Sequence, residues 1–284
     1  METGAVRFSK SKLTTKFGRE YGYALWQSES EIPAGNVFML NSFGFDSYSL
    51  YGEVAKRMCE ELNMRIYAFD LPGHGDSSTD MNGVNFDTIQ VDIVDILESL
   101  RIAPCHYVGC SLGSEFGLRT AVSRPEMLHS VAVISTCSIE SNRDDEKLFG
   151  IMANKWKAKG MSAFAEFIFS KPFILGKTFL EADQFKQRRK IERERITNMD
   201  INSLHLLNLW VHRKVTVDYS QIKVPLLVMC GSDDEYFLPY AENLIALVPD
   251  AKMKLIEDVG HECPLESPDE TYRCIKDFWM NLSI

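Results

Sequence analysis

Short apolar runs alternate with amphipathic stretches along most of this chain. Eight runs have the length and residue types of β-strands, at positions 13–17, 21–27, 37–40, 65–69, 106–108, 131–135, 226–230 and 252–256. The alternation predicts an α/β protein with a mostly parallel sheet that helices cover on both sides. The first two runs are separated only by Gly18, Arg19 and Glu20, and they predict an opening hairpin.

Two helices carry clear sequence signals. The first is an apolar face with residues three or four positions apart, formed by Phe86, Ile89, Ile93, Ile96, Leu97 and Leu100. The second is the start of the last helix, where Ser267 is a suitable N-cap, Pro268 suits the first turn and Glu270 completes a capping box. A helix at that place would close the domain.

The strand pattern is interrupted between residues 137 and 219, where only helical periodicity is found. The interruption predicts a helical cap (a lid) at 137–219, inserted into an α/β core made of 1–136 and 220–284. Within the cap lies a basic run at 186–196. We interpret it as a solvated helix face that Glu192 and Glu194 compensate, with an anion site as the alternative.

Composition narrows the class of protein. The chain has 284 residues, of which 45% are hydrophobic and 25% are charged, and its formal net charge is −9. An acidic chain is a poor partner for nucleic acid or for anionic membranes. We expect a small-molecule substrate, and neither nucleic acid nor a membrane as partner; the oligomeric state stays open.

Three features of the sequence favour a location in the cytoplasm. No run approaches the ~18 apolar residues of a membrane span, and the first twenty residues lack the apolar region of a secretory signal. The seven cysteines are an odd number without CxxC spacing, which is typical of reduced thiols. The sequence therefore predicts a cytoplasmic protein.

The motif G-x-S-x-G occupies Gly109 to Gly113, directly after a predicted strand and before a helix. This context is the one the motif requires, because a serine on a tight strand-to-helix turn stands clear of the sheet. Small residues on either side let strand and helix approach closely. Ser111 is the predicted nucleophile.

A serine hydroxyl needs a base, and the base needs an acid to orient it. Asp233 and Asp234 follow the predicted strand at 226–230, and His261 follows the next strand. The ends of neighbouring parallel strands meet at one edge of a sheet, where ligands bind in such proteins. His261 is the predicted base, and one of the two aspartates the predicted acid.

Four ordered elements together resemble the α/β-hydrolase superfamily over nearly the whole chain. Besides the serine motif, residues 70–77 (DLPGHGDS) are similar to the family's D-x-x-G-x-G-x-S turn, and 231–239 resemble its G-x-x-D-x-x-x-x-P element. Gly260 and His261, followed by Glu266 and Pro268, match its histidine loop. The resemblance implies the α/β-hydrolase fold with eight strands, and it places the acid at Asp234.

The oxyanion loop departs from the family pattern. Where the family commonly has His-Gly, this chain has Asn41-Ser42-Phe43-Gly44. The resemblance implies that the backbone N–H groups of Phe43 and Leu112 bind the oxyanion. Asn-Ser at this place is similar to the 3-oxoadipate enol-lactonases, which carry Asn-Ser-Leu-Gly; a tolerated loop variant is the alternative.

Some members of this fold take the acid from the loop after the sixth strand, where this chain has Glu140, with Asp144 and Asp145 beyond. Other relatives, the haloalkane dehalogenases and epoxide hydrolases, need Asp at position 111 and are excluded. There is no HExxH motif, and Asp70 is expected to stabilise the glycine turn. We expect neither a metal nor an organic cofactor.

The sequence thus predicts a serine hydrolase of small to medium carboxylic esters or lactones. Aromatic residues of the cap suggest an apolar pocket, with Trp156, Phe173 and Trp210 as candidate substrate contacts. Two alternatives use the same residues: a carbon–carbon bond hydrolase or perhydrolase, and a small-ligand receptor or signalling protein with little turnover.

Overall fold

The structure is a computed structural model that describes residues 5–29, 32–136, 143–172, 174–209 and 217–282. Its centre is an eight-stranded sheet with the strand order β1-β2-β4-β3-β5-β6-β7-β8. The strands are β1 (Val6–Thr14), β2 (Glu20–Ser28), β3 (Gly35–Leu40), β4 (Met64–Phe69), β5 (Cys105–Cys110), β6 (Leu128–Ile134), β7 (Leu226–Gly231) and β8 (Lys252–Ile256).

The first two strands pair antiparallel, β2 pairs antiparallel with β4, and the strands from β4 to β8 are parallel to one another. Leu40, the last residue of β3, lies beside Phe69 of β4 and Gly109 of β5. The carboxyl ends of these strands are therefore level, and the loops that leave them share one edge of the sheet. The predicted α/β-hydrolase sheet is confirmed.

The first strand was predicted at the wrong place. β1 covers Val6–Thr14, so only the first two residues of the run at 13–17 are in a strand, and Lys16 and Phe17 form a turn. This strand lies at the edge of the sheet and is largely exposed, so lysines and serines are tolerated and no apolar run marks it. Backbone pairing with β2 over its full length, from Val6 with Ser28 to Thr14 with Glu20, fixes its register.

Eleven helices are found in the described residues: α1 (Ser47–Leu62), α2 (Phe86–Ser99), α3 (Leu112–Ser123), α4 (Arg143–Lys159), α5 (Met161–Ile168), α6 (Lys177–Glu181), α7 (Lys186–Thr197), α8 (His205–Leu209), α9 (Leu238–Leu247), α10 (Cys263–Glu266) and α11 (Pro268–Met280). Two successive residues of β3, Phe38 and Met39, belong to two separate apolar clusters. Since successive side chains point to opposite faces, the clusters lie on opposite sides of the sheet. Helices α1 and α11 pack on one side, and α2, α3 and α9 on the other.

The last helix begins where predicted, but its predicted capping box is not formed. The Ser267 side chain makes no capping hydrogen bond. Ser267 also ends α10, and its N–H donates to the Cys263 carbonyl oxygen. The residue is therefore fixed by the preceding turn in a backbone conformation that serves both helices, and Glu270 pairs with Arg273 instead.

Between β6 and β7 the described residues are helical, in α4 to α8. The division into core and cap stays a prediction. The basic run forms α7. The prediction that this helix presents a solvated face holds only in part, because Glu192 is buried. Arg195 pairs with Glu192 at 3.3 Å, and Arg188 donates to the Ser49 carbonyl oxygen of α1. Among the described residues, no helix is long and apolar enough to cross a membrane.

Candidate active site

Ser111 stands on the sharp turn between β5 and α3. Its backbone has φ 49° and ψ −113°, a conformation that residues with a side chain rarely adopt. Such a conformation costs roughly 1–3 kcal/mol, so its surroundings must enforce it. The Ser111 N–H donates to the Ile134 carbonyl oxygen at 2.8 Å, which ties the turn to β6.

The two glycines of the motif are required by close backbone contacts. A Cβ at Gly109 would collide with the Gly113 carbonyl, and a Cβ at Gly113 would collide with the carbonyl oxygen of Leu40. The helix therefore passes directly against the strand it follows and against the end of β3. This contact brings the first residues of α3 beside the loop that begins at Asn41.

His261 and Asp234 form a hydrogen-bonded pair. The Nδ1 atom of His261 lies 2.7 Å from Oδ2 of Asp234, and the Asp234 side chain is fully buried. The second carboxylate oxygen of Asp234 accepts from the Phe237 N–H at 3.3 Å. An ionised carboxylate only accepts, so the bond places a proton on Nδ1 and leaves Nε2 as the acceptor of a neutral ring.

Opposing effects act on the pKa of His261. Burial by itself lowers the pKa of this imidazole, but the charge and hydrogen bond of Asp234 outweigh it, with support from Glu262 and Glu266. The net effect raises the pKa of His261 above its ordinary value of 6.5. The imidazole therefore accepts a proton more readily than a free histidine does.

The neighbouring carboxylate occupies a different position. Asp233 accepts from the backbone N–H of Lys177 at 3.4 Å, at the start of α6. In the structure, the carboxylate that pairs with His261 therefore belongs to Asp234 and not to Asp233. The resemblance had the acid at the same residue. Glu140, the alternative acid, lies outside the described residues, and so do the side chains of Asp144 and Asp145.

Asn41 and Ser42, which replace the family's His-Gly, hold the oxyanion loop (residues 41–44) through their side chains. The Asn41 amide donates to the carbonyl oxygens of Ser42 and Phe45 at 2.9 and 2.6 Å. Its oxygen accepts from the Leu71 N–H at 2.7 Å. One buried amide therefore satisfies three backbone groups and fixes the loop against the glycine turn at 70–77.

His74 supports the same loop from the glycine turn. Its Nε2 accepts from the Gly44 N–H, and its Nδ1 donates to the Pro72 carbonyl oxygen, both at 3.0 Å. Burial lowers the pKa of His74 to about 4, so the ring is neutral near pH 7 and keeps this tautomer. His74 is therefore a structural residue of the glycine turn that supports the oxyanion loop.

Asp70 has the turn-stabilising role that the sequence suggested. Its two carboxylate oxygens accept from the backbone N–H groups of Ser47 and Asp76 at 2.7 and 2.9 Å. Burial and the nearby charge of Asp46 raise the pKa of Asp70 to about 7. Within the described parts of the chain, no group of histidine, cysteine or acidic side chains has the arrangement of a metal site.

Ser111, His261 and Phe43 line one cavity of about 310 Å³. The rest of its wall is mostly apolar and comes from the helices between β6 and β7 and from the loop after β7: Phe149, Met152, Phe164, Phe167, Ile168, Ile174, Tyr236 and Phe237, together with Glu262. The Phe237 ring lies 4.2 Å from the His261 ring. A mainly apolar wall with a few polar groups at one end is typical of small-molecule sites.

The predicted substrate contacts stay a prediction, and of the three residues only Trp156 lies in the described part of the chain. Trp156 is buried but is not among the residues that line the cavity; it packs behind the lining residues Phe164 and Phe167, at ring distances of 6.0 and 4.9 Å. A large side chain such as that of Trp is favoured inside a layer of helices. The presence of aromatic residues in the sequence does not tell which of them face the cavity and which pack inside the layer. Phe173 and Trp210 lie outside the described residues. The basic helix α7 contributes nothing to this cavity either, as far as the described residues extend.

Two buried glutamates were not anticipated. Glu262 follows His261 directly and lines the cavity, and its Oε2 accepts from the Ser42 hydroxyl at 2.8 Å. Glu266 accepts from the N–H groups of Gly260, Glu262 and Gly176. In the sequence, Glu266 is marked only by the histidine-loop pattern, and the signal available for Glu262 is an acidic residue directly after the predicted base.

Comparison with known proteins identifies a family for this chain. The profile of the alpha/beta hydrolase fold family matches residues 37–268. The sn-1-specific diacylglycerol lipase ABHD11 of Mus musculus is 22% identical, over 90% of this chain and 84% of the lipase.

Two solved structures show how similar the fold is. A thermophilic esterase from Thermogutta terrifontis has a TM-score of 0.81 at 18% identity, covering 96% of this chain and 98% of the esterase. The enol-lactonase from Burkholderia xenovorans LB400 has a TM-score of 0.80 at 20% identity, covering 95% of this chain and all (100%) of the enol-lactonase. At these identities the likeness concerns the fold.

The matched segment runs from β3 to the first residue of α11. It therefore contains the oxyanion loop, the serine turn, Asp234 and His261, and it spans most of the chain. The chain belongs to the alpha/beta hydrolase fold family.

Proposed function

We propose that this protein is a serine hydrolase that cleaves a small to medium apolar carboxylic ester or lactone through an acyl-enzyme. The observation that carries the proposal is the meeting of Ser111, on its strained turn, with the Asp234-paired His261 at one apolar cavity. In this mechanism Ser111 Oγ attacks the carbonyl carbon while His261 Nε2 takes its proton. The same nitrogen then protonates the leaving group and later activates water to release the acid.

The oxyanion of the tetrahedral intermediate binds to the N–H groups of Phe43 and Leu112. Leu112 is the first residue of α3, and the first N–H groups of a helix have no partner inside the helix. Phe43 lines the cavity, in a loop that Asn41 and His74 hold in place. Losing one such donor typically costs ~3 kcal/mol of barrier.

The size and wall of the cavity support an apolar substrate. A volume of about 310 Å³ has room for on the order of ten water-sized groups, at ~30 Å³ each. Five of the lining residues are phenylalanines. The Glu262 carboxyl is part of the wall, and it disfavours a substrate that carries a carboxylate of its own.

The nucleophile is tested with a fluorophosphonate probe and activated esters. We expect the probe to label Ser111, and Ser111→Ala to lose labelling and ~10⁴–10⁶ of the turnover while its melting temperature stays close to that of the parent. Labelling of Ser111→Ala at the parental rate would contradict the assignment. Labelling without turnover on any ester or lactone would favour the receptor alternative.

The substrate class is tested by comparing neutral and carboxylate-bearing lactones of similar size, with a chelator present and over a range of salt. We expect the neutral lactones to be preferred and the chelator to have no effect. Strong preference for the carboxylate that salt screens away would refute the neutral-substrate proposal and favour the enol-lactonase resemblance. Cleavage of a β-diketone in preference to every ester would favour the carbon–carbon hydrolase.

The predicted cytoplasmic location is likewise retained as a proposal. The six cysteines in the described residues are unpaired and buried. Burial raises the pKa of Cys59 to about 11 and that of Cys105 to about 12, so these thiols are unreactive. Such cysteines are typical of core packing in a reducing compartment.

A further inference from the structure

One carboxylate oxygen contacts the loops of the nucleophile, the base and the oxyanion donors. Glu262 follows His261 in the chain, and its Oε2 accepts from the Ser42 hydroxyl at 2.8 Å and from the Cys110 thiol at 3.6 Å. Ser42 precedes Phe43, and Cys110 precedes Ser111. Each of the three contacting residues is thus adjacent in sequence to a residue of the proposed catalytic site.

These contacts are shielded from solvent. Glu262 is 1% exposed, and Ser42 and Cys110 are 0% exposed. Exposed carboxylates exchange such partners with water, but losing a buried acceptor leaves the Ser42 hydroxyl unsatisfied. The Cys110 thiol keeps a second, longer contact, to the His261 carbonyl oxygen at 3.9 Å. The backbone of Glu262 is fixed as well, since its N–H donates to Glu266 Oε1 at 3.1 Å.

On the basis of the proposed function, we infer that Glu262 is a positioning residue that sets the distance between Ser111, His261 and the Phe43 N–H through its bonds to Ser42 and Cys110. It acts through its neighbours and takes no part in proton transfer. The loops come from β3, β5 and the segment after β8, so no local hydrogen bond can fix their mutual distance. A displacement of about 1 Å in such a site costs on the order of a hundredfold in rate.

Charge gives Glu262 a second, measurable effect. Its carboxylate contributes to raising the pKa of His261, after the larger effects of burial, which lowers it, and Asp234, which raises it. The titratable groups that face Glu262 are His261 and Glu266 of its own loop, Cys110 of β5, Asp234 after β7 and Tyr51 of α1. Removing the charge while keeping the shape should therefore lower the pKa of His261.

The test uses the rate constant of Ser111 phosphonylation by a fluorophosphonate, which does not depend on the natural substrate or on the amount of unfolded protein. We expect Glu262→Leu to slow this step by about tenfold or more, and Glu262→Gln, which keeps an acceptor for Ser42, to slow it much less. The acid limb of the pH profile of Glu262→Gln should lie at lower pH than that of the parent. Glu257→Gln, an exposed change near the same loop, is the matched control and should alter neither quantity.

A double-variant cycle separates positioning from general damage. If Ser42 and Glu262 act as one unit, Glu262→Leu combined with Ser42→Ala should be no slower than the slower single variant. Should Glu262→Leu fail to fold, the same cycle is run with Glu262→Gln. Any of three results would overturn the inference. The first is a Glu262→Leu rate within twofold of the parent, and the second is a double variant whose loss equals the product of the two single losses. The third is an acid limb of Glu262→Gln at the same pH as that of the parent. If the parent itself is not labelled at Ser111, the proposed function fails instead.

Discussion

Replacing Asp234 by Asn tests the acid and the orientation of His261 with almost no change in volume. Asp234 presents Oδ2 to His261 Nδ1 at 2.7 Å and Oδ1 to the Phe237 N–H at 3.3 Å. An amide has one oxygen and one NH₂ group for these two positions. If the oxygen stays with the Phe237 N–H, the NH₂ group faces Nδ1, which must then accept.

That orientation moves the ring proton to Nε2, the atom that should accept the proton of Ser111. The other orientation keeps the tautomer but places the NH₂ group against the Phe237 N–H, and it still lacks the charge that stabilises the imidazolium. Either way we expect kcat to fall by about 10⁴, which corresponds to ~5.4 kcal/mol of barrier at 1.36 kcal/mol per tenfold. The acid limb should move to lower pH, because the buried ring loses the carboxylate that raises its pKa.

The assay is steady-state hydrolysis of a p-nitrophenyl ester across pH, with a thermal melt to verify folding. Asp233→Asn is the matched control, since Asp233 contacts the Lys177 N–H and not His261, and it should keep turnover within a few-fold. Glu140→Gln tests the alternative acid and should also have a small effect. If Asp234→Asn keeps more than about a tenth of the parental kcat while Glu140→Gln loses ~10³ or more, the acid has been misassigned.

Three further changes follow from the same contacts. The parent should lose activity on acidification, about tenfold per pH unit below the pKa of His261, and because this pKa is raised the loss should begin above pH 6.5; a midpoint below 6.5 in the kcat/KM profile would contradict the pairing with Asp234. Gly113→Ala should lower both the melting temperature and the labelling rate, because its methyl group would collide with the carbonyl oxygens of Leu40 and Asn41; unchanged labelling would show that α3 can move freely. Phe164→Ala should cost ~3–5 kcal/mol of unfolding free energy and extend the range of acyl chains accepted, measured by denaturation and by an ester series, and an unchanged series would place this ring outside the substrate site.

Much of this protein could be predicted from sequence because local patterns carry it. Buried parallel strands need continuous apolar runs, so both ends of β3 to β8 were predicted to within three residues. Gly109 and Gly113 predict the serine turn, since only glycine fits where the strand and helix backbones meet. Asp233, Asp234 and His261 follow strands whose ends must share an edge, and that rule predicted that His261 meets one of the two aspartates. The family resemblance implied that this aspartate is Asp234, which the structure pairs with His261.

Other features depend on residues that the chain brings together from afar. β1 is fixed by backbone pairing with β2 and carries no apolar run of its own, so its position was predicted too late in the sequence. Trp156 and Phe164 are both large aromatic residues, and only the packing of α4 against α5 decides that Phe164 faces the cavity and Trp156 lies behind it.

The same reason applies to the polar network beneath the site. Apart from its place next to His261, nothing local distinguishes Glu262 from a solvated glutamate, because its partner Ser42 lies 220 positions away. In the sequence, Asn41 could not be told from a tolerated variant of the loop. The folded chain gives its amide three partners, Ser42, Phe45 and Leu71, and the last of these belongs to the turn at 70–77. The sequence by itself determined β2 to β8, the fold and, with the family resemblance, the candidate triad, because each is marked by a local pattern of residues. The tertiary structure decided which side chains line the cavity and which hold its loops, because burial and hydrogen bonding between distant residues exist only once the chain is folded.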